Sequence, residues 1–226
     1  MFASESTKEF PAKQVEILNV LLQESLQQKD LAARIGISGA GLLYHIRALE
    51  KLNLITRKTL AEVGNVSLKE VSIHPNALQR ARAITGATRD RHVLITAFGK
   101  DSALGESHVL PATGKRLLEQ EGIGIHRVVA FVTPESNVEE ATKLVPIDRL
   151  ESHPYPDYRN EDSAVMRSLQ GIIEEEQRDA DVFIDVTGLT KLLTIKFLEL
   201  SRDFHVPSFY LGKRSDDSDF LLWLTR

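Results

Sequence analysis

The chain has 226 residues, of which 42% are hydrophobic and 27% charged, and it carries a formal net charge of −4. This length fits two domains that each bury a core, and the composition is that of an ordinary globular protein. The absence of cysteine excludes disulfides, thiolate metal sites, iron–sulfur clusters and a cysteine nucleophile. The N-terminus has no basic region followed by an apolar one, and no apolar run approaches membrane-spanning length, so we expect a cytoplasmic protein without a membrane segment.

Charge divides the chain into two parts. The first 88 residues carry a small net positive charge and the remainder a net negative charge, so that only the N-terminal part suits a polyanion such as DNA. The histidines are scattered without the spacings that bind metal, and no metal site is predicted.

Apolar spacing in the N-terminal part predicts three helices, over residues 13–25, 27–35 and 38–53, with Ser38 as the N-cap of the third. In the third helix the apolar residues recur every three to four positions, which turns Gly41, Tyr44 and Arg47 outward. Two β-prone runs follow, 55–61 and 67–73, and residues 62–66 join them as a hairpin.

This order of three helices and a hairpin resembles the winged helices of arsenic-repressor-like and multiple-antibiotic-resistance-like regulators. The match is carried by Ser38, Leu42, His45, Ile46, Leu49, Leu54 and Ile55. The resemblance implies that the third helix enters the major groove of double-stranded DNA while the wing contacts the backbone. The candidate DNA-binding residues are Ser38, Gly39, Gly41, Tyr44 and Arg47 on the helix, and Arg57, Lys58 and Lys69 for phosphates. Two alternatives stay open, namely that these are simply solvated polar positions and that the winged helix binds protein. His45 is expected to be a packed helix residue.

A helix over 76–84 lies within a predicted linker, 74–90, between a winged domain at 1–73 and a second domain at 91–226. This helix could pack against its twin in a dimer or cover the wing. From His92 onward, nearly continuous apolar strands alternate with helices, which predicts a Rossmann-like, doubly wound, mostly parallel sheet. The last strand follows a loop too short for a crossover helix, so we expect it to be an antiparallel edge strand. The predicted fold class is therefore α/β, with an N-terminal winged helix-turn-helix and this sheet after it.

In the Rossmann strand order, 3-2-1-4-5, ligands bind beyond the carboxyl ends of the first and fourth strands. Two turns lie there, 96–102 and 186–191. The second turn offers a glycine, two threonine hydroxyls, a helix N-terminus and Lys191, which together suit a phosphate. A plain strand-to-helix turn would need only the glycine and a threonine cap. Dinucleotide and Walker A motifs are absent, and Gly122 and Gly124 are interpreted as structural.

The segment IDVTGLTKLL resembles the D/N-x-T-G-G-T-K signature of CRISPR-associated Rossmann-fold (CARF) domains, and the likeness extends over about residues 91–226. Asp185, Thr187, Gly188, Thr190 and Lys191 match, whereas Leu189 replaces the second glycine of the signature, and the winged helix here precedes the Rossmann-like part. The resemblance implies a homodimer in which two 186–191 turns meet at a two-fold axis and bind cyclic tetra- or hexaadenylate as an effector, with no cofactor. The ligand-binding residues it implies are Gly99, Lys100, Asp101, Ser102, Thr133, Thr187, Gly188, Leu189, Thr190 and Lys191, with Pro134 and Glu135 beside Thr133 as further candidates.

The resulting hypothesis is a ligand-responsive DNA-binding transcriptional regulator of CRISPR or antiviral defence loci, without enzymatic activity. One alternative is a ring nuclease that cleaves its cyclic ligand, in which Lys191 and Ser102 would stabilise charge. The other is a winged-helix adaptor whose second domain merely dimerises.

Overall fold

The computed structural model describes residues 10–63, 66–87, 89–101, 106–154, 157 and 164–225. It divides into two compact units, Met1–Thr88 and Arg89–Arg226. Within the described ranges, no helix is both long and apolar enough to cross a bilayer.

The first unit is a winged helix, as predicted. Its elements are α1 (Ala12–Leu21), β1 (Leu26–Gln27), α2 (Gln28–Ile35), α3 (Gly39–Lys51), β2 (Ile55–Val63), β3 (Val66–Ile73), a short 3-10 turn (Pro75–Ala77) and α4 (Leu78–Thr85). Sequence reasoning missed β1, which pairs antiparallel with β3 and makes the hairpin a three-stranded sheet in the order β1-β3-β2. The wing strands also extend further toward the turn than expected, and Gly64 and Asn65 lie outside the described residues.

One apolar core holds this unit together, formed chiefly by α1, α2, α3 and the inner face of the sheet. Ser38 caps α3 by accepting a hydrogen bond from the Gly41 N–H at 3.1 Å. The segment that we expected to be a linker contributes α4 to the same core, because Ala77 and Ala81 are completely buried there and α4 packs on α1. Small side chains on this face allow the two helices to approach closely.

The second unit is a six-stranded sheet with helices on both faces. Its elements are β4 (His92–Phe98), a 3-10 turn (Ser107–Val109), α5 (Leu110–Gln120), β5 (Arg127–Val132), α6 (Val138–Leu144), β6 (Arg149–Ser152), α7 (Ala164–Glu176), β7 (Asp181–Asp185), α8 (Lys191–Asp203), β8 (Ser208–Lys213) and β9 (Asp219–Thr225). The order is β6-β5-β4-β7-β8-β9, with five parallel strands and β9 antiparallel at the edge. The predicted strand order and edge strand are confirmed. Helix α5 begins at Leu110 with Pro111 in its first turn, where a missing N–H costs nothing.

The two faces of this sheet have separate apolar cores. Helices α7 and α8 cover one face, where Phe131 of β5 meets Phe197 of α8 edge to face at 5.9 Å between ring centroids. Helices α5 and α6 cover the other face. The chain therefore leaves β4 and β7, which are adjacent, toward opposite faces, and a crevice opens beyond their carboxyl ends.

Candidate functional site

A cleft of about 440 Å³ lies at the carboxyl ends of β5, β4 and β7. Its floor is apolar and includes Phe98 and Phe131, whereas the charged side chains Lys100 and Glu135 stand exposed at its rim. The remaining lining residues are Ala97, Gly99, Thr133, Gly188 and Thr190. Five of the predicted ligand-binding residues thus line one cleft, namely Gly99, Lys100, Thr133, Gly188 and Thr190. Asp101, Thr187, Leu189 and Lys191 do not line it, and Ser102 lies outside the described residues.

The turn after β7 is organised by Asp185, the last residue of that strand, whose carboxylate is completely buried. It accepts hydrogen bonds from the Thr96 hydroxyl of β4 at 3.1 Å and from the Thr187 N–H at 2.9 Å. Burial raises the pKa of Asp185 to about 6, although the hydrogen bonds from Thr187 and Thr96 favour the ionised form. The carboxylate thus ties β4 to the turn from inside the protein.

Thr187 and Leu189, both predicted to bind ligand, have internal roles in this turn. The Thr187 hydroxyl donates to Asp185 and accepts the N–H of Leu211 on β8 at 2.7 Å. Leu189 packs against the core under α7 and α8. Since its single hydroxyl proton is already used, Thr187 fixes the turn to β8 and has no donor left for a ligand.

Gly188 is required by the neighbouring strand. A Cβ added there would lie 1.8 Å from the carbonyl oxygen of Ala97 in β4, a distance that no side chain tolerates. The missing side chain of this glycine therefore gives room to β4. Gly188 also lines the cleft, and its expected contact with a ligand stays a prediction.

Thr190 and Lys191 begin α8 at the edge of the cleft. The Thr190 hydroxyl caps the helix by accepting a hydrogen bond from the Leu193 N–H at 3.5 Å. Lys191 is exposed, and no hydrogen bond or ion pair engages its ammonium group in the part of the chain that the structure describes. A helix N-terminus with an adjacent free ammonium group favours anions. Of the residues that match the signature, Lys191 has no structural role of this kind.

The loop after β4 is anchored by Asp101. Its carboxylate accepts hydrogen bonds from the His108 N–H at 3.1 Å, the His108 ring Nδ1 at 2.7 Å, the Ser107 hydroxyl at 3.2 Å and the Asn137 amide at 3.4 Å. Loss of hydration opposes ionisation, but the hydrogen bonds from His108, Asn137 and Ser107 dominate and lower the pKa of Asp101 to about 2. Asp101 therefore positions the Gly99–Lys100 segment at the cleft, with its own charge engaged by protein donors.

The outward face of α3 forms the candidate nucleic-acid interface. Ala40, Tyr44, Arg47 and Lys51 are exposed and follow one another at the spacing of a single helical stripe, with Tyr44 72% exposed. Sequence reasoning named Tyr44 and Arg47 but missed Lys51, which the same spacing would have found. Gly39 is exposed at the start of the helix, and Gly41 is half-buried beside its cap.

The three basic residues predicted to contact phosphates differ in their surroundings. Arg57 forms a two-pronged ion pair with Glu50 of α3, with both N–O distances 2.6 Å, so that it joins the base of the wing to the helix. The carboxylate of Glu50 thus gives the guanidinium a structural role, and its expected contact with phosphate stays a prediction. Lys58 is exposed on the opposite face of β2, and Lys69 is half-buried on β3.

His45 lies on α3 beside Tyr44, whose ring it meets edge to face at 5.3 Å. Its Nδ1 atom is buried without a hydrogen-bond partner among the described residues. This placement fits the expected packed helix residue.

The family model of winged helix-turn-helix DNA-binding domains matches residues 12–56. No curated protein matches the chain. The sequence match covers α1 to the start of β2, so it includes the whole of α3.

Solved structures resemble the chain in parts. The adhesin competence repressor AdcR of Streptococcus pyogenes is 21% identical over 36% of this chain and 56% of its own, with a TM-score of 0.30. Csm6 of Enterococcus italicus, bound to cyclic hexa-2′-fluoro-hexa-dAMP, is 12% identical over 54% of this chain and 34% of its own, with a TM-score of 0.40. Can2 of Sulfobacillus thermosulfidooxidans, in complex with cyclic tetra-adenylate, is 22% identical over 59% of this chain and 34% of its own, with a TM-score of 0.37. The chain thus spans between about a third and just over half of the length of these proteins.

Proposed function

We propose that this chain is a ligand-responsive DNA-binding transcriptional regulator of CRISPR or defence loci. In this proposal the winged unit binds duplex DNA, and the Rossmann-like unit of a cytoplasmic homodimer binds cyclic tetra- or hexaadenylate. The observation that carries the ligand proposal is the cleft at the switch point of the sheet, where Lys100, Thr190 and the N-terminus of α8 lie together. Lys191 adjoins them and has no hydrogen bond or ion pair with the described residues. The choice of cyclic oligoadenylate as the ligand rests on the resemblance of residues 185–191 to the CARF signature.

Lys191→Ala tests the ligand proposal. A charge-assisted hydrogen bond to phosphate contributes about 1.5–3 kcal/mol, and a two-fold site loses two at once, so we expect the affinity for cyclic tetraadenylate to fall by at least about a hundredfold. Lys143→Ala is the matched control, because it removes the same charge from α6, where Lys143 pairs with Glu139 and Glu140. Calorimetry on both variants measures the difference. Unchanged affinity in Lys191→Ala would show that the turn is only a strand-to-helix junction.

The DNA proposal rests on the exposed stripe of α3 and is tested by Arg47→Ala. A side chain that reads a base edge contributes about 1–3 kcal/mol of discrimination, so the variant should bind its preferred duplex more weakly while its affinity for random duplex changes little. Titrating the full-length protein with both duplexes measures this difference. A chain that binds no duplex at low salt would instead favour the adaptor role.

A further inference from the structure

We propose that Glu135 selects the ligand of the cleft by accepting a hydrogen bond from a neutral donor of the nucleoside, either the exocyclic amine of the base or a ribose hydroxyl. The phosphates lie at the opposite end, toward β7. This inference rests on the proposed function, because it assumes that the cleft binds a nucleotide.

The polarity of the cleft across three adjacent strands supports this arrangement. On the β7 side, Thr190 and the N-terminus of α8 face the cleft, and Lys100 follows β4 in the middle. On the β5 side stands Glu135, the one carboxylate among the lining residues that the structure describes. One end of the cleft therefore attracts anions, and the other end repels them.

Glu135 differs from the carboxylates of Asp185 and Asp101. Asp185 and Asp101 accept hydrogen bonds from protein donors, as described above. Glu135 is exposed, and across the described ranges it has neither a hydrogen bond nor an ion pair, not even with Lys100. A free carboxylate beside an anion site weakens binding of a simple polyanion, and it is compensated only by a ligand that brings its own donor.

Among the described lining residues on the β5 side, no other side chain offers comparable acceptors. Thr133 is almost completely buried, and its N–H and hydroxyl both engage the Ser136 hydroxyl, at 3.0 and 3.2 Å. The cleft floor beside Glu135 is apolar, with Phe98 and Phe131. An apolar floor with one acceptor at its rim suits a heteroaromatic base that carries an amine, and a ribose edge supplies the same kind of donor.

The experiment compares wild type, Glu135→Ala and Glu135→Gln for binding three cyclic tetranucleotides by calorimetry. The probes are cyclic tetraadenylate, the tetramer of purine riboside, which lacks the 6-amino group, and the 2′-fluoro tetraadenylate, which lacks the 2′-hydroxyl. Inorganic tripolyphosphate is the fourth probe. Glu139→Gln is the matched control, since it removes the same charge from an exposed side chain of α6 that pairs with Lys143.

We expect Glu135→Ala to lower the affinity for cyclic tetraadenylate about tenfold or more, and to leave unchanged the affinity for the analogue that lacks the contacted donor. The insensitive analogue identifies the donor as the amine or the hydroxyl. Glu135→Gln should bind cyclic tetraadenylate with an affinity between those of wild type and Glu135→Ala, because its amide oxygen still accepts a hydrogen bond. Both variants should bind tripolyphosphate more tightly than wild type, and Glu139→Gln should not.

Two results would overturn the inference, and they are distinguishable. If Glu135→Ala changes the affinity for all three tetramers by the same factor, Glu135 selects no donor, while the proposed ligand class stands. If wild type binds none of the tetramers, the proposed function fails and this inference fails with it.

Discussion

Replacing Asp185 with asparagine should change how the stability of the second unit depends on pH. Burial raises the pKa of Asp185 to about 6, from an ordinary value of 3.8. The folded protein therefore binds a proton at the Asp185 carboxyl more tightly than the unfolded chain does. The wild-type free energy of unfolding consequently falls as the pH rises from about 4 to 6. At 1.36 kcal/mol for each pKa unit, the difference in free energy of unfolding between wild type and Asp185→Asn should shift by about 2 kcal/mol from pH 4 to pH 7, with the variant gaining relative stability at neutral pH.

The assay is denaturant unfolding followed by tryptophan fluorescence at several pH values. Trp223 is the single tryptophan of the chain and is buried in the second unit, so that the signal reports this unit. Asparagine keeps one acceptor oxygen for Thr187, and the Thr96 hydroxyl can turn to accept from the new amide. The control is Asp203→Asn, which removes an exposed carboxylate at the end of α8. Parallel pH profiles for wild type and Asp185→Asn would refute the reasoning.

Three further predictions follow from the two units. Gly188→Ala should lower the free energy of unfolding of the second unit by at least about 1–3 kcal/mol, because the added Cβ would meet the carbonyl oxygen of Ala97. Gly124 has open space around it, so Gly124→Ala should be nearly neutral in the same fluorescence assay. Arg57→Ala should lower the free energy of unfolding of the winged unit by about 1 kcal/mol, because the ion pair with Glu50 is lost; circular dichroism measures this. Lys58→Ala should leave stability unchanged and reduce the slope of log DNA affinity against log salt concentration by about one. Saturating cyclic tetraadenylate should change the free energy of operator binding by about 1–3 kcal/mol, and operator DNA should change the affinity for the ligand by the same factor. Equal operator affinities with and without ligand would show that the protein is not a ligand sensor.

Most of the fold could be predicted because its elements are long and their apolar patterns regular. The strands of the second unit are nearly continuous apolar runs, and the spacing of Leu42, Ile46 and Leu49 gives α3 directly. The two-residue strand β1 could not be predicted, since it forms only by pairing Leu26 with Val71, far along the chain. Nor could the packing of α4, because its sequence resembles an ordinary exposed connector.

The site could be predicted in location but not in the roles of its residues. The switch point of the sheet and the two loops followed from strand order alone. The roles of these side chains depend on contacts between residues that are distant in sequence. Examples are the hydrogen bond from the Leu211 N–H to the Thr187 hydroxyl and the close approach of Gly188 to the carbonyl of Ala97. Glu135 carries no motif, and the sequence offers it only as a further candidate after the second strand of this unit. The structure adds that it lines the same cleft as Lys100.

The internal contacts of the turn after β7 have a consequence for how related sequences are interpreted. Asp185, Thr187 and Gly188 are each needed to join neighbouring strands, so selection for folding alone would retain them. A related protein that no longer binds the ligand could keep these three residues indefinitely. Positions such as Lys191 and Glu135, which the fold does not require, would drift first. In a family tree, variation at those two positions would therefore mark the branches where the ligand had changed or disappeared.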